Sequence, residues 1–154
     1  MKFARALFLL LLLLPLAGCR KNPDTLVRGD YDVVAMDKAI ARARSEVDVF
    51  IAVLKANDAE SFSVKAPIKD ENGTEHFWIT DVAFVDGEFE GHVGNDPGIV
   101  KNVVLGQKWR IKKTEISDWM YVRAGRIHGG YTIDPLLASF DKAKSDDIRR
   151  RLVR

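Results

Sequence analysis

The residues that could do chemistry are few and scattered. Ser117-Asp118 sets a hydroxyl beside a carboxylate. A serine nucleophile also needs a base within hydrogen-bond reach and donors for an oxyanion. No Gly-x-Ser-x-Gly elbow accompanies it, so Ser117-Asp118-Trp119 reads more simply as a turn whose side chains bond nearby amides. The histidines are His76, His92 and His128, and none lies three or four residues from another. A metal site would need them to converge in space with Asp81, Asp96 or Asp118. Asn95-Asp96-Pro97-Gly98 has too few acidic oxygens for calcium and reads as a turn. Glu88 and Glu90 could form a glycosidase pair, but two residues apart on a strand they read as a polar face. No cofactor is called for.

The aromatic residues carry more information. Trp78, Trp109, Trp119, Tyr121 and Tyr131 fall on strands or their ends. Most are expected in the core, where such side chains bury large areas. Trp119 and Tyr121 flank the Ser-Asp turn. Exposed there, they would anchor a partner, since Trp and Tyr dominate binding hot spots. Ser117, Asp118, Trp119 and Tyr121, with His128 nearby, form the expected contact surface. A rival reading makes Asp118 with His92 or His128 the acid-base pair of a cell-wall or lipid hydrolase. Another is a carrier of a small molecule or lipid, using space between helix and sheet.

The single cysteine, Cys19, is best explained by its setting. Lys2 and Arg5 precede an apolar run containing six consecutive leucines, Leu9 to Leu14, and then Pro15 and Leu16-Ala17-Gly18-Cys19. Basic, then apolar, then small is the order of a secretory signal. The run is shorter than the ~20 residues of a spanning helix. The Leu-Ala-Gly-Cys quartet resembles the lipobox of bacterial lipoproteins. That resemblance implies cleavage after Gly18, removal of residues 1–18, and acylation of the Cys19 thiol and amine. Two or more acyl chains hold stably to a bilayer. Arg20 stands where an aspartate tends to retain such proteins in the inner membrane, so the outer membrane, facing the periplasm, is expected. Lipidated Cys19 leaves no thiol for a disulfide.

Cleavage would remove two of the 24 basic residues and leave 22 against 22 acidic. That balance argues against nucleic acid as a partner, which calls for a basic face. Arg149, Arg150, Arg151 and Arg154 cluster at the C-terminus and read as a solvated helix end. The expected partners are the membrane, through Cys19, and another envelope protein. Oligomeric state is left open.

The elements that must position these residues follow from periodicity. Residues 19–36 hold the lipid attachment and a polar tether, and 37–154 form one domain. Ile40, Ala43, Val47, Phe50, Ile51 and Leu54 repeat at helical spacing and predict one helix over about 38–55, with Asp37 as N-cap. Alternation then begins at Phe62, Val64 and Ala66. Asn72-Gly73, Asp86-Gly87 and Ala124-Gly125 mark hairpins. Strands are expected near 75–85, 89–93, 108–112, 120–123 and 126–128. Residues 99–105 are either a helical turn or a short strand. Gly129-Gly130 allows a bulge or a close backbone approach. Asp134-Pro135 opens a terminal helix, restarting near Ser145. The sum is an α+β domain: an N-terminal helix on a curved antiparallel sheet, open or closed into a small barrel, with a C-terminal helix.

Several segments in order resemble the YegJ-like family, bacterial proteins that carry a domain of unknown function. They are Phe62-Ser63-Val64-Lys65, Glu75-His76-Phe77-Trp78-Ile79, Asn95-Asp96-Pro97, Ile116-Ser117-Asp118-Trp119-Met120-Tyr121-Val122 and Gly129-Gly130-Tyr131-Thr132. Ser-Asp-Trp-Met-Tyr and Gly-Gly-Tyr-Thr are the most specific. Some family members also look like lipoproteins. The resemblance spans about 38–133 and implies a domain but no activity. The stretch after Ile133 is expected to be peculiar to this chain. The reading that results is a membrane-tethered, non-catalytic binding or accessory protein of the cell envelope.

Overall fold

The apolar spacing over 40–54 builds two helices rather than one. In the computed structural model, which describes residues 31–153, α1 runs Val33–Ser45 and α2 Val47–Ala56. The N-cap is Asp32, whose carboxylate accepts from the Ala35 amide at 3.1 Å. Asp37 instead lies inside the first turns, so the helix starts within the stretch expected to be tether. The helical path breaks at Glu46 (φ −102°, ψ 6°) and ends at Asn57 in the left-handed region. The break redirects the apolar stripe. Val47, Phe50 and Ile51 of α2 are buried in the core, whereas Ile40 of α1 faces a cleft elsewhere.

Six antiparallel strands follow: β1 Ser61–Asp70, β2 Gly73–Val85, β3 Glu88–Val93, β4 Lys108–Lys112, β5 Asp118–Arg123 and β6 Arg126–Gly129. Their order is β4-β3-β2-β1-β5-β6. The sheet is open, not a barrel. Lys108, Arg110 and Lys112 on the β4 edge discourage pairing with another chain. At the other edge Ile127 bridges to Leu152, and its carbonyl accepts from the Val153 amide.

The turns show how local chemistry sets register. Asp86-Gly87 and Ala124-Gly125 both adopt positive φ at two successive residues, the geometry of tight hairpins. The first hairpin is displaced by one residue from its expected centre. Asp70 pairs with Gly73, so Glu71-Asn72 is the loop and the Asp70 carboxylate accepts from the Asn72 amide. β2 slips register between Thr80 and Ala83, with Asp81 at φ 52°. Gly91 of β3 passes so close that a Cβ there would lie 2.5 Å from the Thr80 carbonyl oxygen.

Residues 99–105 are neither helix nor strand. They are held by a carboxylate: Glu75, 3 % exposed, accepts from the amides of Gly98, Ile99 and Val100. Val100 and Val103 then close the core. After β6, Tyr131–Ser139 forms a 3₁₀ segment with Pro135 inside it. Asp134 therefore caps no α-helix. The terminal helix α3, Lys142–Arg151, begins at Asp141, whose side chain accepts from the Lys144 amide. Arg149 and Arg150 pair with Asp146 and Asp147 on its surface. Among the described residues no helix is long and apolar enough to cross a membrane.

The expected signal peptide over 1–18, Cys19 and the expected tether up to residue 30 lie outside the described residues.

Candidate functional site

Strand alternation divides the sheet into two faces. Phe62, Val64, Phe77, Ile79, Trp119 and Tyr121 point toward α2 and fill the core. Their neighbours Lys65, His76, Trp78 and Met120 therefore point the opposite way. That second face is not left to solvent. The first half of α1, the 3₁₀ segment and α3 flank a half-open cleft of about 710 Å³ over it. Met36 and Ile40 of α1, Trp78 of β2 and Met120 of β5 supply apolar walls, and Ile127, Ile133, Leu136, Phe140 and Ile148 complete them.

One corner of the cleft is polar. Asp118 lies beneath it, fully buried, and four donors converge on its carboxylate. Oδ1 accepts from the amides of Trp119 at 2.8 Å and Tyr131 at 3.2 Å. Oδ2 accepts from the Thr132 amide at 2.8 Å and from the Thr132 hydroxyl at 2.7 Å. With its proton given to Asp118, Thr132 Oγ1 accepts from Lys65 Nζ at 3.3 Å. The ammonium also sits 5.5 Å from the Trp78 ring centroid. Beside it, His76 Nδ1 lies 2.9 Å from Ser117 Oγ, and that hydroxyl is 3.2 Å from the Lys65 carbonyl.

The electrostatics follow from burial. Desolvation pushes the Asp118 carboxyl pKa up, against the pull of its donors and of Lys65. Burial pushes Lys65 down, opposed by Asp118. Burial also lowers His76, and the charges of Lys65 and Arg44 lower it further. Tyr131 is pushed far up, first by burial and then by its bond to Glu46. Its hydroxyl donates to the Glu46 carboxylate, and the Arg42 guanidinium stacks 4.3 Å over its ring. This contact clamps the α1–α2 junction onto the 3₁₀ segment.

The expected contact surface is not a surface. Ser117, Asp118, Trp119 and Tyr121 are 1, 0, 3 and 7 % exposed. Trp119 stacks on Phe50, with ring centroids 5.4 Å apart, and donates its indole N–H to the Ala43 carbonyl at 2.8 Å. It is a core residue that ties α1 and α2 to β5. Asp118 does bond backbone amides, as a turn residue would, but two of the three lie 13 and 14 residues ahead. His128 is half-buried and stacks on Tyr121 at 4.7 Å.

The hydrolase pairing gains no geometry. Every hydrogen bond that Asp118 accepts comes from Trp119, Tyr131 or Thr132. His92 sits on β3 opposite Thr80, and His128 lies against Tyr121. Ser117 is 1 % exposed and lines the cleft, and its hydroxyl is engaged with His76 and the Lys65 carbonyl rather than with Asp118. Glu88 and Glu90 are both tied to Arg110, at 2.7 and 3.0 Å. Among the described residues no three His, Cys, Asp or Glu side chains gather around a common metal position.

Lys65 and Thr132 were not picked out by sequence spacing. The signal was present in Phe62-Ser63-Val64-Lys65-Ala66, which puts Lys65 opposite the core. A lysine on a strand's second face reads as solvated unless something is known to cover that face.

An open six-stranded antiparallel sheet with α2 on one face and a roofed cleft on the other defines an α+β domain of ligand-sized cavity. The chain belongs to the family described as "Uncharacterized protein conserved in bacteria (DUF2314)", which matches residues 34–151. The C-terminal stretch after Ile133 is therefore part of the family domain, contrary to expectation. The chain is 55 % identical over 148 residues to "Uncharacterized protein YegJ" of Escherichia coli (strain K12), covering 96 % of this chain and 97 % of that protein. It is also 36 % identical over 77 residues to a "Putative ankyrin repeat protein NMB1133/NMB1171" of Neisseria meningitidis serogroup B, spanning 47 % of this chain and 30 % of that one. No solved structure matches.

Proposed function

We propose that this protein is a non-catalytic binding protein that holds a small amphiphilic molecule in the cleft on the second face of its sheet, tethered to the cell envelope through lipid on Cys19. The cleft carries this reading. Its volume of about 710 Å³ falls within the ~300–1,000 Å³ of small-molecule sites, which combine mostly apolar walls with a few placed polar groups. Met36, Ile40, Met120 and Leu136 are the walls, and Lys65, His76 and Thr132 the polar groups. The tether rests on the lipobox-like segment, and Arg20 after it favours the outer membrane. Ser117 and Asp118 have a structural role: their hydrogen bonds hold the polar corner in place.

The test is titration with N-phenyl-1-naphthylamine, an uncharged apolar probe whose fluorescence rises on leaving water. The protein is expected to bind it saturably at one site. Met120→Trp, which fills the cleft from β5, should weaken binding about tenfold or more with the circular dichroism spectrum unchanged. A linear, non-saturating signal, or equal binding by Met120→Trp, would remove the cleft as a site. Loss of labelled palmitate incorporation in Cys19→Ser tests the tether separately.

A further inference from the structure

Resting on that reading, we infer that the ligand carries one anionic oxygen head group, and that Lys65 Nζ together with His76 Nε2 receives it at the polar corner of the cleft. The argument is an accounting of donors and acceptors. An ammonium has three N–H donors. Among the described residues, Lys65 Nζ has one hydrogen-bond partner, Thr132 Oγ1, at a long 3.3 Å, and no carboxylate ion-pairs with it. A cation so placed normally recruits a carboxylate, because an unpaired charge away from water is unfavourable.

The carboxylate nearest to hand cannot serve. Asp118 already accepts four hydrogen bonds on its two oxygens, which matches the lone-pair capacity of the group. It lends Lys65 a long-range field, not a contact. The Trp78 ring, 5.5 Å away, supplies an attractive face and no acceptor. Lys65 is thus left with donors aimed into the cleft it lines.

His76 adds direction. Its Nδ1 is engaged with Ser117 Oγ, which fixes the ring. Among the described residues Nε2 has no partner, and His76 also lines the cleft. Ser117 Oγ lies within reach of the Lys65 carbonyl. When the hydroxyl proton is given to that carbonyl, Nδ1 must be the donor to Oγ, and a neutral His76 then offers Nε2 as acceptor. On binding, that nitrogen takes up one proton, from solvent or from a monoprotonated phosphate, so that His76 donates Nε2–H to one head-group oxygen while a second oxygen takes the Lys65 donors. Elsewhere the lining is mostly apolar, although Asp37, Glu75, Asn95 and Lys144 also contribute to it, so the bulk of the ligand is an alkyl or aryl body.

The chemistry fits a carboxylate or a phosphate monoester, and matched probes separate them. Isothermal titration calorimetry is run with dodecanol, dodecanoate, dodecyl phosphate and dodecylamine on the full chain carrying Cys19→Ser, so that no acyl group of its own competes. The anionic probes are expected to bind roughly tenfold or more tighter than dodecanol, the scale of one charge-assisted hydrogen bond. Dodecylamine is expected to be the weakest. Lys65→Met should abolish the difference between anion and alcohol while leaving dodecanol affinity unchanged. Should Lys65→Met fail to fold, the ranking of the four probes on the Lys65 protein decides alone. The tighter of dodecanoate and dodecyl phosphate names the head group. Equal affinities for alcohol and anions would overturn the anionic assignment and leave the cleft reading standing. Binding by none of the four would overturn both.

Discussion

Asp118→Asn separates two opposing forces on one buried carboxylate. Burial favours the neutral form, whereas four converging donors favour the anion. An amide is neutral like the protonated acid but has one acceptor oxygen instead of two. If the Asn oxygen takes the Oδ1 position, Trp119 and Tyr131 keep their acceptor and the NH₂ faces Thr132. The Thr132 hydroxyl can rotate to accept, but its backbone N–H, 2.8 Å from Oδ2, is stranded. The reverse orientation strands the two other amides and is worse. One buried amide without an acceptor costs about 1–3 kcal/mol. The remaining bonds lose their charge assistance, which makes each about half as strong. The relief of carboxylate desolvation offsets part of this. The expected net destabilisation is about 2–3 kcal/mol. With a urea slope of ~1–3 kcal/mol/M, the midpoint should fall by roughly 0.7–3 M at pH 7 with the slope unchanged. A change under about 0.5 kcal/mol, or a gain, would show that burial outweighs the donors and that Asp118 does not organise this corner.

Three further outcomes follow from the same geometry. Trp119→Ala should destabilise by about 3–5 kcal/mol, as removal of a buried large aromatic does; an exposed partner anchor would change equilibrium unfolding by under about 0.5 kcal/mol. Gly129→Ala should cost more than about 2 kcal/mol in the same assay, since Gly129 has φ 76° and a Cβ would lie 2.3 Å from the Trp119 carbonyl oxygen. Stability should fall on acidification below about pH 6.5, because His76 and His128 both have folded-state pKa values below the ordinary imidazole value. The unfolded chain then binds more protons, so the stability present above the unfolded pKa is lost as pH drops toward the folded one. Urea titrations at pH 7.5 and 5.5 check this, and His76→Gln with His128→Gln should flatten the difference.

The sheet was legible in the sequence because its signals are local. Asp86-Gly87 and Ala124-Gly125 demand positive φ, and alternation at Phe62, Val64 and Ala66 needs only one buried face. The helical stripe from Ile40 to Leu54 was visible, but its break at Glu46 was not, because that break is set by Arg42 and by Tyr131, 85 residues ahead. Asp134-Pro135 resembled a helix start and became the interior of a 3₁₀ segment, and the α-helix starts later, where Asp141 accepts from the Lys144 amide. The site was the least legible part. Trp119 and Asp118 looked like exposed turn residues because nothing in their spacing shows that α1 and the 3₁₀ segment close over them. Lys65 looked solvated for the same reason: a roof built from both ends of the chain leaves no trace in the strand beneath it.

The measurement that most directly tests ligand binding in the cleft is a methyl-resolved NMR titration with dodecanoate. Met36, Ile40, Met120, Ile127, Ile133 and Leu136 line the cleft, while Ile51, Val64, Ile79 and Val93 fill the core on the other face. Saturable shifts confined to the first group, with the second nearly still, are the expected result. Shifts spread over the surface, shifts in the core group instead, or no shifts at saturating probe would contradict a binding function for the cleft.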